Sequence, residues 1–517
     1  MSRSKDKKLS NIEVRLKERE RLLKTLSKTD ETTDVFQKSM GVFGRWHLWI
    51  CFIIFLVKFP VAWHQLNIVI IAPAQNFSCI DNVDRCAANC TKHIFDDSIF
   101  TDTIISQWDL VCDRAYLANM AQTFTMFGIL VGNAFFGFWS DRSGRSKPMI
   151  VAVIIQVISG SLCAFVPWLW AFLLLRFVVA TATGGTMVTS FVLVMELIGT
   201  KWRCTVATLY QIPFNLGHLT LALFGYLFRD WRYSQLAISL PSIILISYFW
   251  LLPESPRWLL AAGEVEKATK ILETAAKHNN LPVESIAQEV KTYAEKKQNE
   301  TQARGRAVDL FNTRVMCLRT CCIGFNWIVC GLCFFGVAQY VGQLGGNLFW
   351  NIAASAAIQV PGTCISILLL EKLGRKPTLI LSNCVAGIFM LLIPFVEEHS
   401  HWRVILAVVA MFGISISFPS VYLFSGEVFP TVVRNLGVGI TSMMARFGSI
   451  AAPHISTLGA YGAAPWVVPV IFGVAPLIGA ILVLWLPETR NTKLPDTLEE
   501  AANFGKKNKC EALKGVA

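Results

Sequence analysis

Along this chain, polar stretches alternate with apolar runs of roughly 20 residues, the length that crosses the hydrocarbon of a bilayer as a helix. Six runs lie at 47–72, 115–137, 148–167, 169–193, 205–228 and 233–252, and six more at 315–341, 347–370, 377–396, 402–425, 434–459 and 465–486. The pattern predicts an all-α membrane protein of twelve transmembrane helices in two six-helix halves. A polar tail over 1–46 precedes the first half, 47–252, which carries a long polar loop at 73–114. A charged linker over 253–314 leads into the second half, 315–486, and a tail over 487–517 follows. The first run begins after more than forty polar residues, too far in for a cleaved signal peptide, so the first span is expected to be retained. In the tail, Leu9, Ile12, Leu16, Leu23 and Leu26 recur at helical spacing among charges, which fits either a helix lying on an anionic membrane surface or an unstructured segment. The linker carries helical patterns near 263–277 and 283–297.

The two halves repeat one another. Asp141-Arg142-Ser143-Gly144-Arg145 returns about 230 residues later as Glu371-Lys372-Leu373-Gly374-Arg375. Glu196 with Arg203 returns as Glu427 with Arg434, and Leu252-Pro253-Glu254-Ser255 as Leu486-Pro487-Glu488-Thr489. Duplicated bundles of apolar helices, charged only at their ends, are how carriers build a central site and open it to each side in turn. Solute transport is the expectation.

Composition agrees: 54% hydrophobic residues, 16% charged and a mean hydropathy of +0.49 are too apolar for a water-soluble globule of 517 residues. The net charge of +12 does not point to nucleic acid, because the basic residues stand at helix ends and in a few loops instead of forming one patch with stacking aromatics. They report topology. Lys and Arg crowd the N-terminal tail, the turn after run two (Arg142, Arg145, Lys147) and the linker (Lys267, Lys270, Lys277). By the positive-inside rule these segments are cytoplasmic, and an even number of spans returns the C-terminus to the same side.

The loop at 73–114 is then extracellular, and its chemistry fits. Cys79, Cys86, Cys90 and Cys112 lie in it beside Asn76-Phe77-Ser78 and Asn89-Cys90-Thr91, both N-glycosylation acceptors. Four cysteines in an oxidising space predict two disulfides in one of three pairings, and glycans on Asn76 and Asn89 place the protein at the plasma membrane. The remaining cysteines are scattered through the spans as small apolar residues.

The repeated end charges suggest a gate. Asp141, Arg142 and Arg145 sit where span 2 gives way to span 3. Glu196 lies at the end of span 4 with Arg203 just past it, and Glu371, Arg375, Glu427 and Arg434 repeat the set. Ion pairs among them would latch the cytoplasmic ends together and break for the carrier to open inward. The plainer alternative is that they fix topology.

Several blocks carry a family resemblance. Gly137-Phe138-Trp139-Ser140-Asp141-Arg142-Ser143-Gly144-Arg145 is similar to the major facilitator loop signature. Gln107-Trp108-Asp109-Leu110-Val111-Cys112, Pro253-Glu254-Ser255-Pro256-Arg257-Trp258-Leu259, Glu427-Val428-Phe429-Pro430-Thr431 with Arg434, and Leu486-Pro487-Glu488-Thr489 through Leu494-Pro495-Asp496-Thr497 resemble solute carrier family 22. The resemblance runs from the first span to the C-terminal tail. It implies the major facilitator fold and carriage of organic cations, zwitterions such as carnitine, or organic anions. The loop after span 1 is shorter and poorer in cysteine than in most vertebrate members, and Glu371 stands where Asp is commoner.

Helical spacing puts Gln211, Phe214 and His218 on one face of span 5, Trp327, Gly331 and Phe334 on one face of span 7, and Phe418 with Tyr422 on one face of span 10; Phe335 adjoins Phe334. These positions match cleft-lining ones in the family, where aromatic walls hold flat or bulky organic ions. Where cation transporters of the family carry a span-8 carboxylate and a span-11 aspartate, this chain has Gln359 and Arg446. Met443-Met444-Ala445-Arg446-Phe447-Gly448-Ser449 resembles the anion and carnitine branches, and Met187 stands where cation members often have Trp. A guanidinium near mid-membrane costs several kcal/mol unless it faces water or meets an anion, so Arg446 is expected to anchor a substrate carboxylate; the alternative is an ion pair with another helix. Lys58 and His64 in span 1 either add positive charge or, for Lys58, snorkel to the interface.

The reading is a plasma membrane secondary carrier of small organic anions or carboxylate-bearing zwitterions. An organic cation carrier of the same build is the first alternative, and a receptor or scaffold on a carrier fold the second. Neither a nucleotide loop, a metal-ligand cluster nor a nucleophile–base pair stands out, so no enzyme, cofactor or metal is implied. The lipid bilayer and a small organic ion are the partners expected, and the sequence names no protein partner.

Overall fold

The structure is a computed structural model describing residues 35–41, 43–80, 86, 90, 92–298, 306–397, 400–430, 432–461, 464–490, 492, 495 and 498–504. Asn89 and the Leu9–Leu26 pattern lie outside the described residues. Nine helical segments within that range are long and apolar enough to cross a membrane: Arg45–Ile71, Cys112–Ser143, Ser146–Phe165, Leu169–Leu197, Trp231–Leu251, Arg314–Val341, Leu348–Lys372, Arg375–Phe395 and His401–Val428. They are spans 1–4, 6 and 7–10. Helices stand at the other three expected places too, each with a physical reason for missing the length or hydropathy of the nine. Span 5 is two helices, Thr200–Leu209 and Ile212–Leu227, parted at Tyr210 and Gln211. Pro213 has no N–H to give the Leu209 carbonyl four residues back, so the first helix ends there. Span 11, Arg434–Ser456, is long but holds Arg446 and His454. Span 12, Val467–Val483, is short.

The turns that join spans 2 and 3, and spans 8 and 9, are built alike. Gly144 and Gly374 take φ of 96° and 106°, backbone that suits glycine, and the next helix starts one residue on. A carboxylate arriving from the end of each half caps that helix. Glu254 accepts the Arg145 N–H at 2.7 Å and the Ser146 N–H at 3.2 Å, while Glu488 accepts those of Arg375 and Lys376, both at 3.0 Å. Both satisfy orphan donors and complement the positive end of a helix dipole. The repeated Pro-Glu is therefore the cap of the repeated Gly-Arg.

The chain forms two compact units. One comprises Met1–Ile50, Met195–Arg203 and Ser255–Glu300, the other Cys51–Val194, Cys204–Glu254 and Thr301–Ala517. The first unit includes helices Val35–Met40, Pro256–Ala261, Val265–His278 and Ile286–Gln298, the last two standing where the linker's charge pattern predicts them. Asn279 stitches it, accepting the Trp46 N–H at 3.0 Å and donating to the Met40 carbonyl at 2.7 Å. Arg257 lies over the Phe36 ring at 4.5 Å and donates to the Glu196 carbonyl at 3.0 Å.

The second unit holds most of every span and a small hairpin, Phe77–Cys79 against His93–Phe95, that the sequence pattern did not announce. Of the three pairings open to the loop cysteines, the structure has Cys79–Cys90 and Cys86–Cys112. Asn76 is exposed at the entry to the hairpin.

Candidate functional site

Close helix packing positions the centre of the second unit. A Cβ on Gly331 of span 7 would collide with the Ala445 carbonyl of span 11, and one on Gly448 with the Ile328 carbonyl, so the two backbones touch. Arg446 projects beside this contact. It is half-buried, its Nε has no hydrogen-bond partner, and its NH2 group lies 3.9 Å from the Met187 sulfur, a weak acceptor. The Met187 of span 4 thus faces Arg446 across the two halves of the sequence.

The expected aromatic positions largely meet. Trp327 is buried, donates its indole N–H to Ser425 at 3.0 Å, and stands edge-on to Phe418 (5.6 Å) and Tyr422 (5.7 Å). Tyr422 reaches Phe191 of span 4 at 5.2 Å, and Phe191 reaches Tyr210 at 5.6 Å. Phe214 of span 5 faces Phe334 at 5.9 Å, with Phe335 beside it at 5.2 Å. The rings fall into two groups, and each joins the two halves: Phe191 to Tyr422 in one and Phe214 to Phe334 in the other. Gln211 stands apart from these ring contacts, half-buried at the break in span 5, where its carbonyl accepts the Asn215 N–H.

Gln359 is fully buried and tied into a polar knot. Its side-chain amide nitrogen meets His218 Nδ1 at 3.0 Å and the Ser355 carbonyl at 3.0 Å, while Asn215 donates to its backbone carbonyl and to Thr363. Its Oε1 has no partner.

Lys58 does not snorkel. It is 4% exposed, and its Nζ lies 4.2 Å from the Tyr210 ring centre and 5.8 Å from that of Phe214. The Tyr210 hydroxyl is held by Ser190 at 2.5 Å. Neither Lys58 nor Arg446 has an ion-pair partner among the described residues, where every Asp and Glu is at least partly exposed. The ion pair offered as an alternative for Arg446 is not seen among the described residues. His64 is buried, and neither ring nitrogen has a hydrogen-bond partner.

Arg375 forms a forked pair with Glu427 (2.8 and 2.9 Å), and Glu427 also accepts the Thr489 hydroxyl at 2.5 Å. Arg145 pairs with Asp141 at 2.6 Å, whose side chain is 71% exposed. Glu371, the counterpart of Asp141, is exposed and outside the Arg375 pair. Arg142 lies over Phe138 at 4.2 Å, and Arg434 donates to the Phe429 carbonyl at 3.2 Å. Glu196 accepts Arg257 through its carbonyl, and Arg203 is half-buried.

Sequence reasoning missed three features. Glu254 and Glu488 were visible as a repeat, but their capping role depends on a fold that brings residues over a hundred positions apart together. A buried chain in the first half, Arg176 to Asn67 (2.6 Å) to Gln235 (2.8 Å) to the Gly160 carbonyl (3.0 Å), gave no signal beyond polar residues inside apolar runs. Tyr210 as the platform of Lys58 gave none.

Duplicated halves of membrane-spanning helices, with ring contacts between the halves and paired charges at their ends, define a carrier of the major facilitator class. The family model described as sugar (and other) transporter matches residues 50–500. The inward-open structure of the xylose transporter XylE from E. coli superposes with a TM-score of 0.62 at 18% identity, covering 88% of this chain and 99% of that one, a likeness of fold alone. The organic cation transporter protein of Drosophila melanogaster is 34% identical over 427 residues, 81% of this chain and 77% of that protein. Solute carrier family 22 member 6 of Pseudopleuronectes americanus is 34% identical over 84% of this chain and 78% of its own length. Solute carrier family 22 member 12 of Homo sapiens is 35% identical over 79% and 74%. The chain belongs to solute carrier family 22, within the sugar (and other) transporter family of membrane transporters.

Proposed function

We propose that this protein is a plasma membrane secondary carrier of small organic anions or carboxylate-bearing zwitterions, working by alternating access with both termini in the cytoplasm. The observation that carries the reading is Arg446: a mid-span guanidinium with a thioether instead of a carboxylate against it. A substrate carboxylate would supply the missing charge, and the rings would hold its apolar body by burial. The carboxylate costs less to desolvate there because the cation is already in place, and it leaves when the cleft opens to water on the other side. The forked Arg375–Glu427 pair supports a latch at the cytoplasmic ends, since a bidentate pair is strong enough to hold one state and few contacts must break to release it. Gln359 and Gln211 would serve as neutral hydrogen-bonding groups for the substrate.

A cation carrier is the second reading, and the name of the Drosophila relative is the observation that favours it. Aromatic faces alone can hold a cation. A receptor that kept the fold without transport is the third, and intact end pairs weigh against it.

Uptake of labelled anions, zwitterions and cations at two membrane potentials, in cells expressing the protein or its Arg446→Ala variant, tests the reading. Anion or zwitterion uptake that the variant loses is the expected result. Cation uptake indifferent to Arg446 would replace the first reading by the second, and a surface-expressed protein that carries nothing would favour the third.

A further inference from the structure

We propose that the first half holds one small monovalent inorganic anion, of the size and charge of chloride, on the guanidinium of Arg176. This does not rest on the reading of Arg446 and stands whatever the charge of the substrate. Arg176 belongs to span 4 and is 2% exposed. Its NH1 group donates to the Asn67 Oδ1 of span 1 at 2.6 Å. Asn67 in turn donates to the Gln235 side chain of span 6 at 2.8 Å, and Gln235 donates to the Gly160 carbonyl of span 3 at 3.0 Å. Every member of that chain except Arg176 is neutral. The Nε of Arg176 and its NH2 group have no hydrogen-bond partner among the described residues, where no Asp or Glu is fully buried.

A buried cation without a counter-charge is costly, and the Asn67 amide answers it with a dipole, not a charge. Along one edge of a guanidinium the Nε–H and one N–H of NH2 run side by side, so both reach a single acceptor; this is the fork with which arginine takes anions. A water molecule would accept both hydrogen bonds but bring no charge. A halide brings the acceptor and the charge together, in charge-assisted hydrogen bonds. The surroundings limit its size and valence. Asn67 and Gln235 are both 0% exposed, and a large or divalent anion loses more hydration on entering such a place than one guanidinium returns. The contributing spans, 1, 3, 4 and 6, all belong to the first half, so the bound ion stabilises the packing of that bundle.

Thermal unfolding of the purified full-length protein in sodium chloride, sodium bromide or sodium gluconate at equal ionic strength tests the site. Chloride and bromide should each raise the apparent melting temperature over gluconate by about 2 °C or more, and the rise should saturate with halide concentration. Arg176→Gln should abolish the halide response by removing the charge. Asn67→Asp should abolish it by the opposite route, since a fixed carboxylate then stands against the same guanidinium. Arg446→Ala should keep it. Equal melting temperatures in halide and gluconate overturn the proposal, because water then satisfies Arg176. A halide response that survives Arg176→Gln or Asn67→Asp also overturns it, and one that Arg446→Ala removes would put the anion on Arg446 instead. Where neither first-half variant folds, the parent decides: a saturable halide response that outlasts Arg446→Ala supports the site, and indifference to halide overturns it.

Discussion

Two ion pairs at the span ends, Arg375–Glu427 and Arg145–Asp141, differ in exposure and so in worth. Glu427 and Arg375 are 13% and 20% exposed and share two hydrogen bonds, whereas Asp141 is 71% exposed. Exposed pairs contribute about 0–1 kcal/mol, and breaking a partly buried forked pair costs about 1–3. Glu427→Gln should therefore lower the apparent melting temperature of the detergent-purified protein clearly, while Asp141→Asn changes it little; equal effects would mean that burial does not set their strength. Ser425→Ala strands the buried Trp327 indole N–H and should cost about 1–3 kcal/mol in the same assay, with reduced uptake. At this scale the sequence was informative where a residue was out of place. A guanidinium in an apolar run is conspicuous, so Arg446 was legible. Lys58 was visible too, but whether a lysine snorkels or stays inside depends on the ring under it, and Tyr210 lies about 150 positions away. The tie between Gln359 and His218 likewise needs two spans docked.

Among the elements, spans were legible because a bilayer sets their length and forbids polar interruptions without partners. The break in span 5 was legible in principle from Pro213, though the run 205–228 reads as continuous when hydropathy alone is followed. The turns after spans 2 and 8 carry a sharper test. A Cβ on Gly144 would strike the Glu254 carboxylate in a backbone conformation that non-glycine residues avoid, and Gly374 faces Glu488 in the same way at 3.0 Å. Gly144→Ala and Gly374→Ala should each destabilise by about 1–3 kcal/mol and displace the cap, which thermal unfolding beside Glu254→Gln would register. A Gly144→Ala protein as stable as the parent would remove the capping account of the repeat. In the loop after span 1, cysteine count limited the answer to three pairings but could not choose, since pairing follows from how the chain folds back. Peptide mapping without reduction should recover Cys79–Cys90 and Cys86–Cys112.

For the whole molecule, duplication was the most legible property, because repeated motifs keep their order and spacing whatever the helices do between them. What the repeat does not carry is difference, and function lies in the differences: Met187, Gln359 and Arg446 break the symmetry at the centre, and Lys58 has no counterpart in the repeated motifs. Topology is open to a simple check. Asn76 is exposed beside the hairpin, so Asn76→Gln should raise the electrophoretic mobility of the cell-expressed protein, as glycosidase treatment of the parent should. The central claim is that the charge of Arg446 selects the charge of the substrate. Reversing it in Arg446→Asp, with surface expression matched, and measuring uptake of paired labelled organic anions and cations tests that most directly. The account predicts loss of anion uptake together with a gain in cation uptake. Anion uptake that persists in Arg446→Asp at the parental level would contradict it.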